Sequence, residues 1–457
     1  MSNITEKKEK TVMSNYGRTG WLIKELPAYQ GNNHLSESLY NCGPYMKEYG
    51  SETSNSSVMQ NITSTSIEEF LDYIDVLKEN GFEEEDSLSL EDNYFYRFAR
   101  ENQRVFANYY ENSKKAIIVL ENQKGVSPKE ISYTYVPKDG EHSEVYMFGL
   151  KMDPRGMNRK VPENTSGFIN NGASMIIKCA DNSVIVIDGG DQRQMEADDQ
   201  ERFYNLLCKI TGKKAGDVIT VSAWFITHVH NDHVSGLCRA IQTNPDRYQL
   251  ERVICNAPNP ASVQYAQENM YQMTTDLLQT YFPNCQEIKV HTGDVLHVAD
   301  LKLTVVYTHE DMVDENGVFP CPDFNATSTV IMAEAASGMK FLITGDINEI
   351  AEDVMCSHFT GKTLKCDILQ QPHHNFNDNK LVYEYGDTQV MLMTQASGGL
   401  IKNEMMTAHS NMAKKWCREW YCGGDETVGF SFEDGRVNLI YHAKDICFNE
   451  GLQKNQG

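Results

Sequence analysis

Apolar residues at Phe70, Ile74, Val76 and Leu77 recur on a helical spacing, and the stretch stops at Gly81. Ser66 and Glu69 just before them have the separation of a reciprocal N-terminal cap, so a helix is predicted there. Residues 94–98, 104–110 and 116–120 are turn-separated and alternate, which predicts antiparallel strands. One helix on a small meander makes an α+β accessory domain over residues 66–160. Residues 1–65, rich in Ser, Asn, Gly and Tyr, read as an irregular lead-in, with a linker over 51–57.

From residue 161 to 457 the texture changes. Residues 174–179 and 183–188 predict a hairpin through Ala180-Asp181-Asn182, closed off by Gly189-Gly190, a pair that lets the backbone turn sharply. A helix is expected over 196–210, then a strand over 221–226, a short strand over 253–256 and a helix over 261–281. Further strands are expected at 287–291, 301–307, 328–333 and 340–343. Strands interleaved with helices point to the α/β class, with sheets covered by helices.

The 457 residues suit two to three domains, and an apolar share of 40% can build a core. Acidic residues outnumber basic ones 64 to 41, a net charge of -23. Such a surface repels phosphate backbones and argues against long nucleic acid as a partner. The twelve cysteines show no CxxC pairing, and several sit in apolar segments, as reduced core thiols do. The first ten residues are polar, and no run of 18 apolar residues occurs, so no membrane span is expected. The expected location is cytoplasmic, and the oligomeric state is left open. No glycine-rich phosphate loop and no internal repeat is evident.

The chemistry concentrates in Thr227-His228-Val229-His230-Asn231-Asp232-His233, which packs three of the chain's 13 histidines and a carboxylate into six positions. Imidazole and carboxylate bind borderline metals such as zinc, iron and manganese. The bland alternative is a polar loop with chance histidines. An apolar strand leads straight into the cluster, and two more strands end in similar groups: Thr344-Gly345-Asp346 and Gln371-Pro372-His373-His374. A carboxylate at Asp346 could bridge two cations. Neighbouring residues on an extended chain point opposite ways, so one of the two histidines is expected in the cluster. His373 is taken as the metal ligand, with His374 behind it or facing substrate. Asp188, ending its strand, is expected to hold a ligand imidazole in place. His409, near an expected helix start, reads as a capping or surface residue, with leaving-group acid as the alternative.

These elements in this order resemble the metallo-β-lactamase-fold hydrolases over roughly residues 165–445. The shared features are His228-x-His230-x-Asp232-His233, Asp188-Gly189-Gly190, Gly345-Asp346 and His373. The finer spelling, Asn325-Ala326-Thr327-Ser328 before Thr344-Gly345-Asp346 and a His-His pair after it, is similar to the branch containing the hydrolase domain of the competence protein ComEC. That branch's His-His-Gly-Ser is here His373-His374-Asn375-Phe376. The resemblance implies a four-layer αββα sandwich with the site at one edge between two sheets. It implies two divalent transition-metal ions, zinc first, with manganese or iron as alternatives. His228 and His230 would hold one; Asp232, His233 and His373 the other; Asp346 would bridge. His309 is a further ligand candidate, while His291 and His297 read as surface or strand residues. Asp232 and His374 are the expected catalytic groups, orienting a metal-bridging hydroxide and facing substrate. The expected reaction is hydrolysis of a phosphoester or related ester, small or polymer-linked. The competing expectations are a nuclease acting on single strands, and an inactive scaffold that binds a partner.

Overall fold

The computed structural model describes residues 18–50, 57–122, 128–150, 172–263, 270–320, 323–395, 404–424 and 426–443. Two large mixed sheets lie at its centre. The first has nine strands: Gln286–Lys289, Arg252–Cys255, Ile219–Phe225, Val184–Asp188, Ser174–Lys178, Glu144–Met147, Thr427–Glu433 and Arg436–Ala443 in spatial order, with Tyr248–Leu250 pairing beside Ile219–Phe225. The second has eight, ordered Cys417–Cys422, Thr388–Met393, Ile368–Gln370, Lys340–Ile343, Val330–Ala335, Leu301–Tyr307, Val295–Ala299 and Tyr133–Thr134.

The layering follows from the side chains. Val184–Asp188 is apolar at every position but its last, the signature of a strand covered on both faces. Ile185 and Ile187 enter a core between the sheets with Phe225, Leu303, Ile331 and Phe341. Val184 and Val186 face the other way, among Phe203 and Leu207 of the helix Ala197–Ile210 and Leu237 of the helix Asn231–Thr243. On the second sheet Leu342, Leu369 and Met391 are covered by Met355 of Glu349–His358 and Tyr383 of Lys380–Gly386. The order is helix, sheet, sheet, helix. Each fully buried aliphatic side chain contributes about 1.5–3 kcal/mol.

A third, seven-stranded antiparallel sheet runs His34–Leu35, Ser57–Thr63, Lys115–Glu121, Gln103–Tyr110, Asn93–Arg100, Glu83–Leu90, with Tyr40–Asn41 also on Ser57–Thr63. The helix Ile67–Glu79 covers one face, capped by Ser66, whose hydroxyl accepts from the Glu69 N–H at 3.3 Å. Phe70, Ile74 and Leu77 pack there on Phe98, Ile118 and Leu120. The other face, with Phe95, Phe106 and Val119, merges into the main core, so the accessory sheet is docked on the sandwich.

The divisions differ from those read along the chain. The accessory sheet already includes the strands His34–Leu35, Tyr40–Asn41 and Ser57–Thr63 and ends at Glu121, the strands at Tyr133–Thr134 and Glu144–Met147 belong to the central sheets, and the expected boundary at residue 160 lies outside the described residues. Glu144–Met147 pairs with Thr427–Glu433, nearly three hundred positions away, and no local pattern announces such a partner. Glu83–Leu90 is acidic and largely exposed at a sheet edge, so it lacks the apolar face that marks a strand. Of the helix expected over 261–281, Tyr271–Tyr281 is helical, Pro260–Ser262 is a separate short turn, and residues 264–269 lie outside the described residues. Of the expected linker, residues 51–56 lie outside the described residues. Among the described residues no helix is long and apolar enough to cross a membrane, and the cysteines are free thiols.

Candidate metal centre

Three strand ends deliver the cluster. Ile219–Phe225 leads to Thr227 and His228, and His230 stands at the N-cap of the helix Asn231–Thr243. Asp232 and His233 therefore sit in a helix's first turn rather than in a loop, where backbone N–H groups favour a carboxylate. That helix must pass close to the end of Val184–Asp188. A Cβ on Gly189 would come 2.4 Å from Leu237 Cβ, and one on Gly236 would come 2.3 Å from the Gly189 carbonyl. Only glycine fits at either position. The Gly236 N–H then bonds the Gly190 carbonyl at 2.7 Å.

Outer partners turn each imidazole inward. His233 Nδ1 lies 2.7 Å from Asp188 Oδ2 and His374 Nδ1 3.2 Å from the Thr394 carbonyl, and both of those oxygens can only accept. The Thr227 hydroxyl donates to the Asp188 carboxylate at 2.9 Å, so it accepts from His228 Nδ1 at 3.1 Å. The Nδ1 atoms of His233 and His228 thus carry a proton, His374 Nδ1 also meets the Thr394 hydroxyl at 2.8 Å, and the three Nε2 atoms face the interior. Asp188 is in a left-handed conformation with φ of 57°, and is held there by the Thr227 N–H at 2.9 Å.

The inward atoms converge. His233 Nε2 is 3.1 Å from His374 Nε2, and Asp346 Oδ2 is 3.0 Å from the first and 3.1 Å from the second. Asp232 Oδ2 is 3.4 Å from His374 Nε2, and His228 Nε2 is 3.1 Å from His230 Nδ1. Two overlapping donor triads result, His228–His233–Asp346 and Asp232–His233–His374, each with its atoms within 4.8 Å of one another. Burial and two neighbouring imidazoles, His233 and His230, hold His228 well below the usual histidine range, leaving it neutral. Burial opposes charge on His374, but Asp346 and Asp232 outweigh it and take the imidazole up to about 9. His233 is likewise raised by Asp346 and Asp188 against its burial. The carboxylates thus stabilise positive charge at these imidazoles, as they would stabilise a bound cation. Asp346 Oδ1 supplies an independent test of fit: it is buried and receives no hydrogen bond among the described residues. A carboxylate with one oxygen amid imidazoles and the other unpaired suits a cation-bridging role.

The structure brings together His228, His230, Asp232, His233, Asp346 and His374, and leaves two expected ligands elsewhere. His373, expected in the cluster, is turned away: its Nε2 meets the Asn325 amide nitrogen at 3.0 Å and its Nδ1 the Asn377 side chain. His374, expected behind it, takes the inward place. The cause is the turn after Pro372. His373, His374 and Asn375 are all left-handed, with φ of 46°, 46° and 69°, so the alternation of an extended chain does not apply. Such residues cost about 1–2 kcal/mol each. Contacts offset the strain: the Asn375 amide donates to the Met406 carbonyl at 2.6 Å and Ser410 Oγ at 2.9 Å.

His309 belongs to a different network. Its Nδ1 meets the Tyr40 hydroxyl and its Nε2 the Asn256 carbonyl oxygen, each at 3.1 Å. Nor is His291 a surface residue: it is wholly buried between Glu310, 2.8 Å away, and Glu121, 3.3 Å away. His297 lies on the strand Val295–Ala299. His409, inside the helix Glu404–Ala413, meets the Asn375 carbonyl at 3.2 Å. Sequence reasoning missed Thr227, Thr394 and Ser328 as supports of the imidazoles. Ser328 Oγ lies 3.2 Å from His228 Nδ1 and takes the Asp346 N–H at 2.9 Å.

No family model matches the chain, and no curated protein matches it. Solved structures similar to it include the metallo-β-lactamase-fold protein YhfI from Bacillus subtilis, 10% identical over 61% of this chain and 96% of that chain, with a TM-score of 0.34. A metallo-β-lactamase from Cronobacter sakazakii is 14% identical over 54% of this chain and 88% of that one, with a TM-score of 0.27. The subclass B3 metallo-β-lactamase BJP-1 of Bradyrhizobium japonicum is 17% identical over 44% and 72%, with a TM-score of 0.28. Likeness at this level carries no argument; the four layers and the converging donors do.

Proposed function

We propose that this chain is a metal-dependent hydrolase of the metallo-β-lactamase superfamily that cleaves an ester, a phosphoester before others. The observation that carries the reading is the approach of His233 Nε2 and His374 Nε2 to Asp346 Oδ2, at 3.0 and 3.1 Å, while Asp346 Oδ1 has no donor among the described residues. His228 and His230 would hold one divalent cation, Asp232, His233 and His374 the other, and Asp346 would stand between them. Such a pair supplies Lewis acidity and makes water acidic enough to ionise near neutral pH. Zinc suits the nitrogen-rich set, and manganese or iron fits the carboxylates.

The chain's own residues do the positioning. Asp188, Thr227 and Thr394 hold each imidazole at its Nδ1, so the Nε2 atoms face the centre without rearrangement. Burial of His228, His233 and Asp346 keeps bulk water out and strengthens every charge interaction inside. His230 and Asp232 are the least covered members and mark the side from which a substrate enters.

A panel of chromogenic substrates tests the assignment: a phosphodiester, a phosphomonoester and a carboxylic ester of 4-nitrophenol. The expected result is zinc-dependent turnover, fastest on a phosphoester and abolished by a chelator. Equal turnover with and without metal contradicts the reading; a preference for the carboxylic ester moves it to another ester class.

A further inference from the structure

The short turn Phe324–Thr327 lies against the centre. The Phe324 ring is 5.7 Å from that of His230, and Ser328, the next residue after the turn, reaches His228 at 3.2 Å. Asn325, between them, is 8% exposed. Its amide nitrogen uses both hydrogens, one on Asp323 Oδ2 and one on His373 Nε2, each at 3.0 Å.

The direction of this chain of bonds is fixed from its far end. The Asn377 amide nitrogen donates to Glu349 Oε2 at 2.6 Å, so Asn377 turns its carbonyl oxygen toward His373. His373 Nδ1 must then carry the proton, and its Nε2 accepts from Asn325. Two carboxylates, Glu349 and Asp323, orient the series from opposite ends. Every N–H in it points away from Asn325 Oδ1. That oxygen is buried and receives no hydrogen bond among the described residues. A buried acceptor without a donor is costly, and the donors that could turn the amide round are committed elsewhere. The strained turn that sends His374 inward also presents His373 to Asn325.

We propose that Asn325 is a substrate-positioning residue, oriented by His373, whose Oδ1 accepts a hydrogen bond from a hydroxyl or amide N–H that the substrate carries beside its scissile ester. The inference rests on the hydrolase reading and adds a selection to it. Esters of polyols, sugars or amide-bearing alcohols are preferred to plain alkyl esters, because only they satisfy the buried oxygen.

A matched pair of diesters tests it: propyl 4-nitrophenyl phosphate and 3-hydroxypropyl 4-nitrophenyl phosphate, with zinc content measured on each protein. The native protein is expected to favour the hydroxyl-bearing ester by roughly 10–100-fold in kcat/KM, the range of one well-placed hydrogen bond to a buried group. In Asn325→Ala and Asn325→Ser that ratio falls to about 1 with zinc content unchanged, and His373→Gln lowers it part of the way. An equal rate on both esters in the native protein overturns the proposal. So does loss of a zinc equivalent in both Asn325 variants, which would make the amide a metal ligand. If the native protein cleaves neither ester, the phosphodiester reading fails by itself. Calorimetry with propylphosphonate and 3-hydroxypropylphosphonate on zinc-loaded protein then reads the Asn325 contact alone, and equal affinities overturn it.

Discussion

His291 and His233 are both buried between two carboxylates, and they do different work. His291 lies between Glu310 and Glu121 where the accessory sheet meets the sandwich; His233 lies between Asp188 and Asp346 in the centre. Around His291 the set is closed. Glu121 also takes the Tyr45 hydroxyl at 2.8 Å, Glu310 takes the Asn256 amide at 3.2 Å, and Lys289 stands 3.8 Å from Glu121. Two positive and two negative groups balance, and the carboxylate oxygens are used. Around His233 the set is open: a second imidazole faces the same oxygen, and Asp346 keeps one unpaired among the described residues. Imidazole between carboxylates thus makes a staple where every valence is met and a candidate site where one is left over.

Asp346→Asn should have the largest effect. It removes the charge between the imidazoles without changing shape, and turnover is expected to fall by at least about 10³-fold, with reduced zinc content in the same samples. Retained turnover would remove Asp346 from the mechanism. At the staple the loss should appear in folding instead. His291→Leu removes the cation that Glu121 and Glu310 share and leaves Lys289 alone against two buried carboxylates, which is expected to cost about 3–5 kcal/mol in urea unfolding, with zinc content in the folded fraction unchanged.

The staple also predicts a pH dependence. Burial opposes charge on His291, but Glu310 and Glu121 outweigh it, raising the imidazole from 6.5 to about 9. A histidine raised on folding contributes stability that is complete below pH 6.5 and lost as pH rises through 9. The contribution is on the order of 3 kcal/mol, and it should appear as the difference between native and His291→Gln stability curves across that window. Parallel curves would show that His291 carries no charge. Ser328→Ala should be the mildest change. It removes an oxygen shared by His228 and the Asp346 backbone, and a loss of about 10–100-fold in zinc affinity is expected in chelator competition. Loss of stability with unchanged affinity would place Ser328 among the packing residues.

Much of the centre was legible because its ligand types crowd into residues 228–233 and because Asp346 follows an apolar strand directly. The choice between His373 and His374 was not legible. It depends on three consecutive left-handed residues, none a glycine, held by contacts from Met406 and Ser410 some thirty positions later. His309 followed a strand as a ligand should, but its environment, Tyr40 and Asn256, comes from elements far away in the chain. In the accessory region the helix Ile67–Glu79 could be read from its cap and apolar stripe. The extent of its sheet could not, because Ser57–Thr63 has a partner, Lys115–Glu121, that lies beyond the helix and three further strands.

Anomalous diffraction at the zinc edge, from crystals grown with zinc, tests the central claim most directly. The account predicts two peaks, one beside His228 and His230, the other beside Asp232, His233 and His374, with the Asp346 carboxylate reaching both. An empty centre, or a peak at His291 with none at Asp346, would contradict it.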